Sequence, residues 1–298
     1  MALFMMTSCG DGPPITDQEQ WEFLGMNHEQ TLIDARLSVG SGGLLRGQGR
    51  ARLSVVRKGQ IPLEYGRDSL ADDVSRPPED GLVIGPDTLT REDGRWALGM
   101  RADGLDLRLT LDPAGPPTLP ATQETGRGRW SVQAPVTSGQ LRGFITAGER
   151  DELIDGHGVL LHRWGADPPA LRGTERVSIF VLDRDLALGV DQTGGLAVSW
   201  IRVGDRTLTH DGGLIRRSEE GWFELDFRPS ADVVARIYPR RKPSLRRPVY
   251  DALTKPERWL LRGLVGWAVR HIHAAQARVV VAGVHRTAPA MVVAVEYK

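Results

Sequence analysis

The chain has 298 residues, enough for one large domain or two of ordinary size, and with 40% hydrophobic residues either can bury a core. Thirty-eight basic residues balance thirty-eight acidic ones, which removes the whole-molecule attraction that nucleic acid or an anionic membrane surface needs and leaves only local patches; a nucleic-acid partner is not expected. The single cysteine excludes an intrachain disulfide framework and a cysteine-based zinc cluster.

In chain order, the apolar N-terminus comes first. Met6-Thr7-Ser8-Cys9 resembles the end of a bacterial lipoprotein signal, and Gly10 to Pro14 would serve as a polar tether, but a basic n-region is missing. Two readings stand open. Lipidation of Cys9 would place the protein at the bacterial cell envelope, periplasmic and lipid-anchored; an ordinary apolar N-terminus leaves it cytoplasmic. No later stretch reaches the about eighteen uninterrupted apolar residues of a spanning helix.

The first half reads as strands. Trp21 to Leu24 opens it, Thr31 to Val39 alternates up to the glycine-rich turn Gly40-Ser41-Gly42-Gly43, and Gly49 to Val56 forms the partner. Leu63 to Leu70, Gly81 to Ile84, Arg95 to Arg101 and Leu105 to Leu111 follow. The last has strict period two, placing Leu105, Leu107, Leu109 and Leu111 on one face, and Asp103-Gly104 before it is a hairpin signal. Gly128 to Ala134 and Gln140 to Ala147 resume the pattern after a proline-rich break. Thirty-five glycines and nineteen prolines, spread along the chain, supply regular turns, while crossover helices are lacking; this points to closed antiparallel barrels rather than a parallel sheet.

The second half continues in kind: Arg176 to Asp183, Leu186 to Asp191, Leu196 to Val203, Thr207 to His210, Gly221 to Phe227 and Val233 to Tyr238. One helix is expected over about 254–275, from the capping-box spacing of Thr254 and Glu257 and the apolar set Leu260, Leu261, Leu264, Val265, Ala268, Val269 and Ile272. Ala277 to Val284 and Met291 to Tyr297 close the chain as a strand pair. The division read from this pattern is a possible signal remnant and tether over 1–14, a first barrel over 15–150 and a second over 151–298.

Between the halves lies Asp155-Gly156-His157-Gly158-Val159-Leu160-Leu161-His162-Arg163-Trp164-Gly165, which concentrates two imidazoles, an indole and three glycines. As a β run it sends His162 and Trp164 to one face and Arg163 to the other. Together with Trp130 to Pro135 and Gly139 to Ile145, it resembles the Gly-x-Gly-aromatic-x-x-His-x-Trp-Gly region of the carotenoid 1,2-hydratase/AttH-like superfamily, which includes Svf1-like lipid-binding proteins and Diels–Alderase-type cyclases. Val159 replaces the usual aromatic and Leu161 a frequent acidic residue. The resemblance implies an all-β fold of two lipocalin-like (calycin) antiparallel β-barrels in tandem, and the late helix read from the spacing is consistent with it, since a packed helix can cover the outside of a barrel.

The same resemblance implies chemistry. In the hydratase branch a His-x-Trp pair is implicated in protonating an alkene and stabilising the cation, which would give His162 and Trp164 those roles. A Tyr-x-Asp pair of that branch falls on Gly189 and Asp191, so the Tyr is lost. Asp191 is then a candidate acid, although Asp191-Gln192-Thr193-Gly194 reads at least as well as a hairpin turn. Likewise His162 and Trp164 read equally as core packing between barrels, and Asp155 and His157, the other candidate ligand-binding residues, as turn caps.

Metal binding and cofactors are not expected: His271 and His273, two apart on a helix, would diverge, and no phosphate-cradling, dinucleotide or nucleophile-elbow motif occurs. The run Arg240 to Arg247 is either a solvated loop or a peripheral membrane contact. Two functions follow. One is binding or carriage of a hydrophobic small molecule, a lipid or isoprenoid, in a barrel cavity. The alternative is a hydratase, isomerase or cyclase acting on a polyene by acid catalysis in that cavity.

Overall fold

The computed structural model describes residues 18–40, 48–125, 128–165, 175–183, 185–193, 195–204, 206–211, 214–248 and 268–297. Cys9 and residues 254–267 of the expected helix lie outside them. The fold is all-β, in two antiparallel sheets.

The first sheet takes β1 (Gln18–Asn27), β2 (Leu32–Gly40), β3 (Gln48–Val56), β4 (Leu63–Ser69), β5 (Val74–Ser75), β6 (Gly81–Ile84), β7 (Asp87–Glu92), β8 (Arg95–Ala102), β9 (Leu105–Pro113), β10 (Ala121–Thr125), β11 (Gly128–Ala147) and β12 (Arg150–Gly165). Its order is β4-β3-β2-β1-β12-β11-β9-β8-β7-β6-β5, with β10 added on β11. Because β12 returns beside β1, the sheet curls until its ends meet through side chains and it forms a nearly closed barrel. Tyr65 of β4 donates to Asp87 of β7 at 2.7 Å, and the Gly49 backbone of β3 lies under Val74 and Ile84. The interior is packed with alternating residues, among them Phe23, Leu37, Leu53, Leu98 and all four leucines of 105–111. Asp103-Gly104 does make the hairpin, with Gly104 at φ 74°.

The second sheet takes β13 (Glu175–Leu182), β14 (Leu186–Thr193), β15 (Leu196–Val203), β16 (Arg206–Asp211), β17 (Leu214–Arg217), β18 (Phe223–Asp226), β19 (Val233–Pro239), β20 (Leu245–Pro248), β21 (Ala268–Val281) and β22 (Val284–Tyr297). Its order is β16-β15-β14-β13-β22-β21-β19-β18-β17, with β20 on β21. A second apolar core of Ile179, Val190, Leu225, Ile237, Val279 and others lines one face. Its other face meets the outside of the first barrel through Phe180, Trp200, Ile272, Met291 and Val293 against Leu24, Met26, Val159 and Leu161.

Two expectations need correction. Residues 268–275, read as the end of the late helix, are strand: β21 pairs with β22 from Ala268↔Tyr297 to Val281↔Val284. There Ala268, Arg270, Ile272 and Ala274 alternate toward the first barrel, and partner strands on both sides override the local helical spacing. The only α-helix among the described residues is a single turn at Arg228–Ala231. The sheets also change after Gly165, not at residue 150, so 151–165 belong to the first sheet.

Candidate functional site

The motif strand β12 crosses the molecule with a different task on each face. Its glycines serve packing: a Cβ at Gly156 would lie 2.2 Å from the Met26 carbonyl oxygen, and one at Gly165, at φ 147°, would lie 2.0 Å from that of Arg129. They let β12 lie close against β1 and β11.

On the inner face, His162 and Trp164 share a side, as the alternation requires. His162 sits directly opposite Trp21 of β1, and the rings stack at 3.7 Å with 7° between planes. Trp164 stacks on His162 at 4.5 Å, and Trp96 leans on Trp21 at 5.0 Å. Glu19, two residues before Trp21 and therefore on the same strand face, organises the group. Its Oε1 lies 3.1 Å from His162 Nε2 and accepts the Trp21 Nε1–H at 2.8 Å, while Arg76 pairs with Oε2. Burial pushes the Glu19 carboxyl up, but His162, Arg76 and Trp21 outweigh it and hold the group below its ordinary value. Burial holds His162 below its ordinary value despite Glu19. At neutral pH the pair is therefore a carboxylate beside a neutral imidazole.

Trp21, Trp96 and His162 border a cavity of about 280 Å³ at one end of the barrel, whose lining also includes Pro135, Asp80 and Arg91. A larger groove of about 930 Å³ opens at the opposite end, but Glu29, Arg57, Lys58, Glu149 and Glu152 give it a charged lining. The smaller cavity has the aromatic walls a ligand can stack on.

On the outer face, Arg163 enters the junction between the sheets. It bonds Glu22 at 2.6 Å and Asp191 at 2.7 Å. Arg176 pairs with both of those carboxylates, and Arg270 pairs with Glu22 and, at 3.0 Å, with Asp34. All six side chains are buried. Burial raises the Glu22 and Asp191 carboxyls, but the arginines prevail and hold both below their ordinary values. The group is thus an ionic clasp across the junction, with Glu22, Asp34 and Arg163 from the first sheet and Arg176, Asp191 and Arg270 from the second.

Of the predicted site residues, His162 and Trp164 come together, at the barrel's end and not at the junction. Asp191 joins neither of them. It is within β14, paired with Val198 and Ser178, so it is no turn residue. Its ionised, arginine-bound carboxyl has no proton to donate. The position expected for the missing Tyr is occupied from the side: a Cβ on Gly189 would lie 2.0 Å from the Trp200 ring, whose Nε1–H donates to the Thr137 carbonyl of the first sheet at 2.8 Å. His157 is elsewhere, edge-on to His28 at 6.1 Å beside a junction cleft of about 340 Å³. Asp155 is exposed, and its carbonyl accepts from His28 N at 3.4 Å.

His271 and His273 lie on one face of β21, their rings 6.3 Å apart, because period two replaces the helical spacing. The described residues gather no group of three potential metal ligands. Part of the basic run is structured: Leu245–Pro248 forms β20, and Arg240 bonds Gln30.

Sequence reasoning missed Glu19 and the clasp. The clasp had a signal: Glu22, Arg163, Asp191 and Arg270 are single charges inside otherwise apolar strand runs, where a charge must find a buried partner.

Comparison with solved structures agrees with the resemblance. An AttH protein from Nitrosomonas europaea matches with a TM-score of 0.64 at 13% identity, over 94% of this chain and 93% of that one. Kievitone hydratase from Nectria haematococca matches at 0.57 and 11%, over 94% and 89%. CghA, solved with Sch210972, matches at 0.62 and 10%, over 95% and 89%. The chain shares the fold of AttH-like proteins. No family model and no curated protein sequence matches it.

Proposed function

We propose that the protein binds a small, mainly apolar planar molecule, or the end of a longer isoprenoid or lipid chain, at the aromatic end of the first barrel. The observation that carries this reading is the His162 ring clamped between Trp21 and Trp164 beside a cavity of about 280 Å³. That volume is at the lower limit of ligand pockets, about 300 Å³, and the barrel beyond it is filled by side chains, so a long polyene would enter by one end only. The second sheet, with its own apolar core, is taken as the second lipocalin-like barrel of the tandem. Its role here is to brace the first through the clasp.

A second reading, acid–base conversion of the bound molecule, is favoured by one observation, the Glu19–His162 pair at 3.1 Å. It uses Glu19 in place of Asp191. That kievitone hydratase shares the fold is compatible with it, and so is the fold of CghA.

Naphthalene titrated by calorimetry tests the binding reading. Wild type should bind it at one site, and Trp96→Ala should weaken binding about tenfold by removing one aromatic wall. Equal affinity in the two proteins would place the ligand elsewhere, and no binding would end the proposal.

A further inference from the structure

The cavity's chemistry narrows the ligand class, an inference that rests on the binding reading above. His162 cannot turn: Trp21 and Trp164 cover its two faces, and Glu19 holds one ring edge. Glu19 is itself fixed by the Trp21 indole and by Arg76. A carboxylate only accepts hydrogen bonds, so Nε2 must carry the imidazole proton, and the neutral ring presents Nδ1 as a lone pair. Among the described residues nothing donates to Nδ1, while the side chain keeps 18% exposure and borders the cavity. The site therefore holds a fixed acceptor beside flat apolar walls.

Charge excludes the alternatives. The charged residues of the cavity lining, Asp80 and Arg91, pair with each other at 3.6 Å, and Glu19, behind His162, is paired with Arg76. A charged ligand of either sign would have to break one of these pairs to find a counter-charge. A neutral group with a hydrogen to donate meets no such objection.

We propose that this site selects planar ligands bearing a neutral hydroxyl donor, of the phenol or enol class, whose O–H donates to His162 Nδ1. Glu19 is the positioning residue that fixes the tautomer. The apolar body of the ligand lies along Trp21 and Trp96.

The test compares 2-naphthol with 2-methoxynaphthalene by calorimetry, since the pair differs in the donor and keeps the rings. Wild type should bind the naphthol about two- to tenfold more tightly at pH 8, the range of one net hydrogen bond. The preference should fade as pH falls below 6.5 and Nδ1 becomes protonated. His162→Phe keeps a ring in the stack and should bind both compounds with a ratio near one, while Glu19→Gln, which frees the tautomer, should lower the ratio and shift its pH profile. Equal affinities in wild type, or a preference that persists at low pH or in His162→Phe, would overturn the donor class and leave the binding reading standing. If neither compound binds, both fall. The wild-type ratio and its pH profile decide the matter even if a variant fails to fold.

Discussion

Replacing Glu22 with Gln probes the clasp at its centre. The side chain is 0% exposed and its carboxylate meets three guanidiniums, Arg163 at 2.6 Å together with Arg176 and Arg270. The amide keeps the shape but removes the charge, and its NH2 would point a donor at groups that only donate. Removing one partner from a buried ion pair costs about 3–5 kcal/mol, because the charges left behind remain desolvated. Arg163 retains Asp191 and Arg270 retains Asp34, so the lower part of that range, about 3 kcal/mol, applies. At roughly 2–4 °C per kcal/mol for a chain of this order, Tm should drop by about 10 °C. Two of the three arginines belong to the second sheet, so the loss should appear as the sheets separating. Hydrogen exchange should rise first at Phe180, Trp200 and Leu24, which face each other across the junction. A Tm change under about 2 °C, with junction amides still protected, would refute the view that these charges hold the sheets together.

Acid should destabilise the protein in two stages, as chemical denaturation across pH would show. His157, His162 and His273 are held below 6.5 by burial, so their contribution is complete above 6.5 and is lost as pH falls through the depressed values. Glu19, Glu22 and Asp191 are held low by their partners, so theirs is lost below about pH 4.5; Glu175, raised by burial, acts in the opposite sense. Stability that rose from pH 7 to pH 5 would contradict these assignments. Gly189→Ala should cost about 1–3 kcal/mol in a urea melt, because the new methyl meets the Trp200 ring at 2.0 Å and displaces it; a neutral result would mean the ring is free to move. Of the two readings of the N-terminus, lipidation of Cys9 requires that the protein expressed from its native reading frame partition with membranes and that Cys9→Ala release it; unprocessed material beginning at Met1 would remove the lipid anchor.

What could be read from the sequence was whatever a short window carries. Leu105 to Leu111 declared a buried face by alternation, Asp103-Gly104 declared its hairpin, and the same parity separated His162 and Trp164 from Arg163. The fold of the AttH-like proteins was legible in the glycine, histidine and tryptophan pattern of β12, whose glycines turn out to be required by strand packing. Asp191 misled because Asp-Gln-Thr-Gly has turn composition, whereas its strand status is fixed by neighbours on β13 and β15 and its ionisation by Arg163, 28 residues away. The late helix failed similarly over 268–275, where apolar residues at helical spacing also satisfy strand alternation and a long partner in β22 decides the outcome. Glu19 carries no local mark at all: its partner His162 is 143 residues on, and only the register of β1 on β12 unites them.

Indole N–H resonances offer the most direct test of the central claim, that the aromatic end of the first barrel is the ligand site. Six of the eight tryptophans lie among the described residues, at separate places in the fold, so each of those reports on its own surroundings. Titrating 2-naphthol into protein with 15N-labelled indoles should shift Trp21, Trp96 and Trp164, the rings around His162, and leave Trp200 at the junction and Trp222 beside Tyr238 unmoved. Shifts confined to Trp200 or Trp222, with the three barrel-end indoles unchanged, would place the ligand elsewhere and contradict the account.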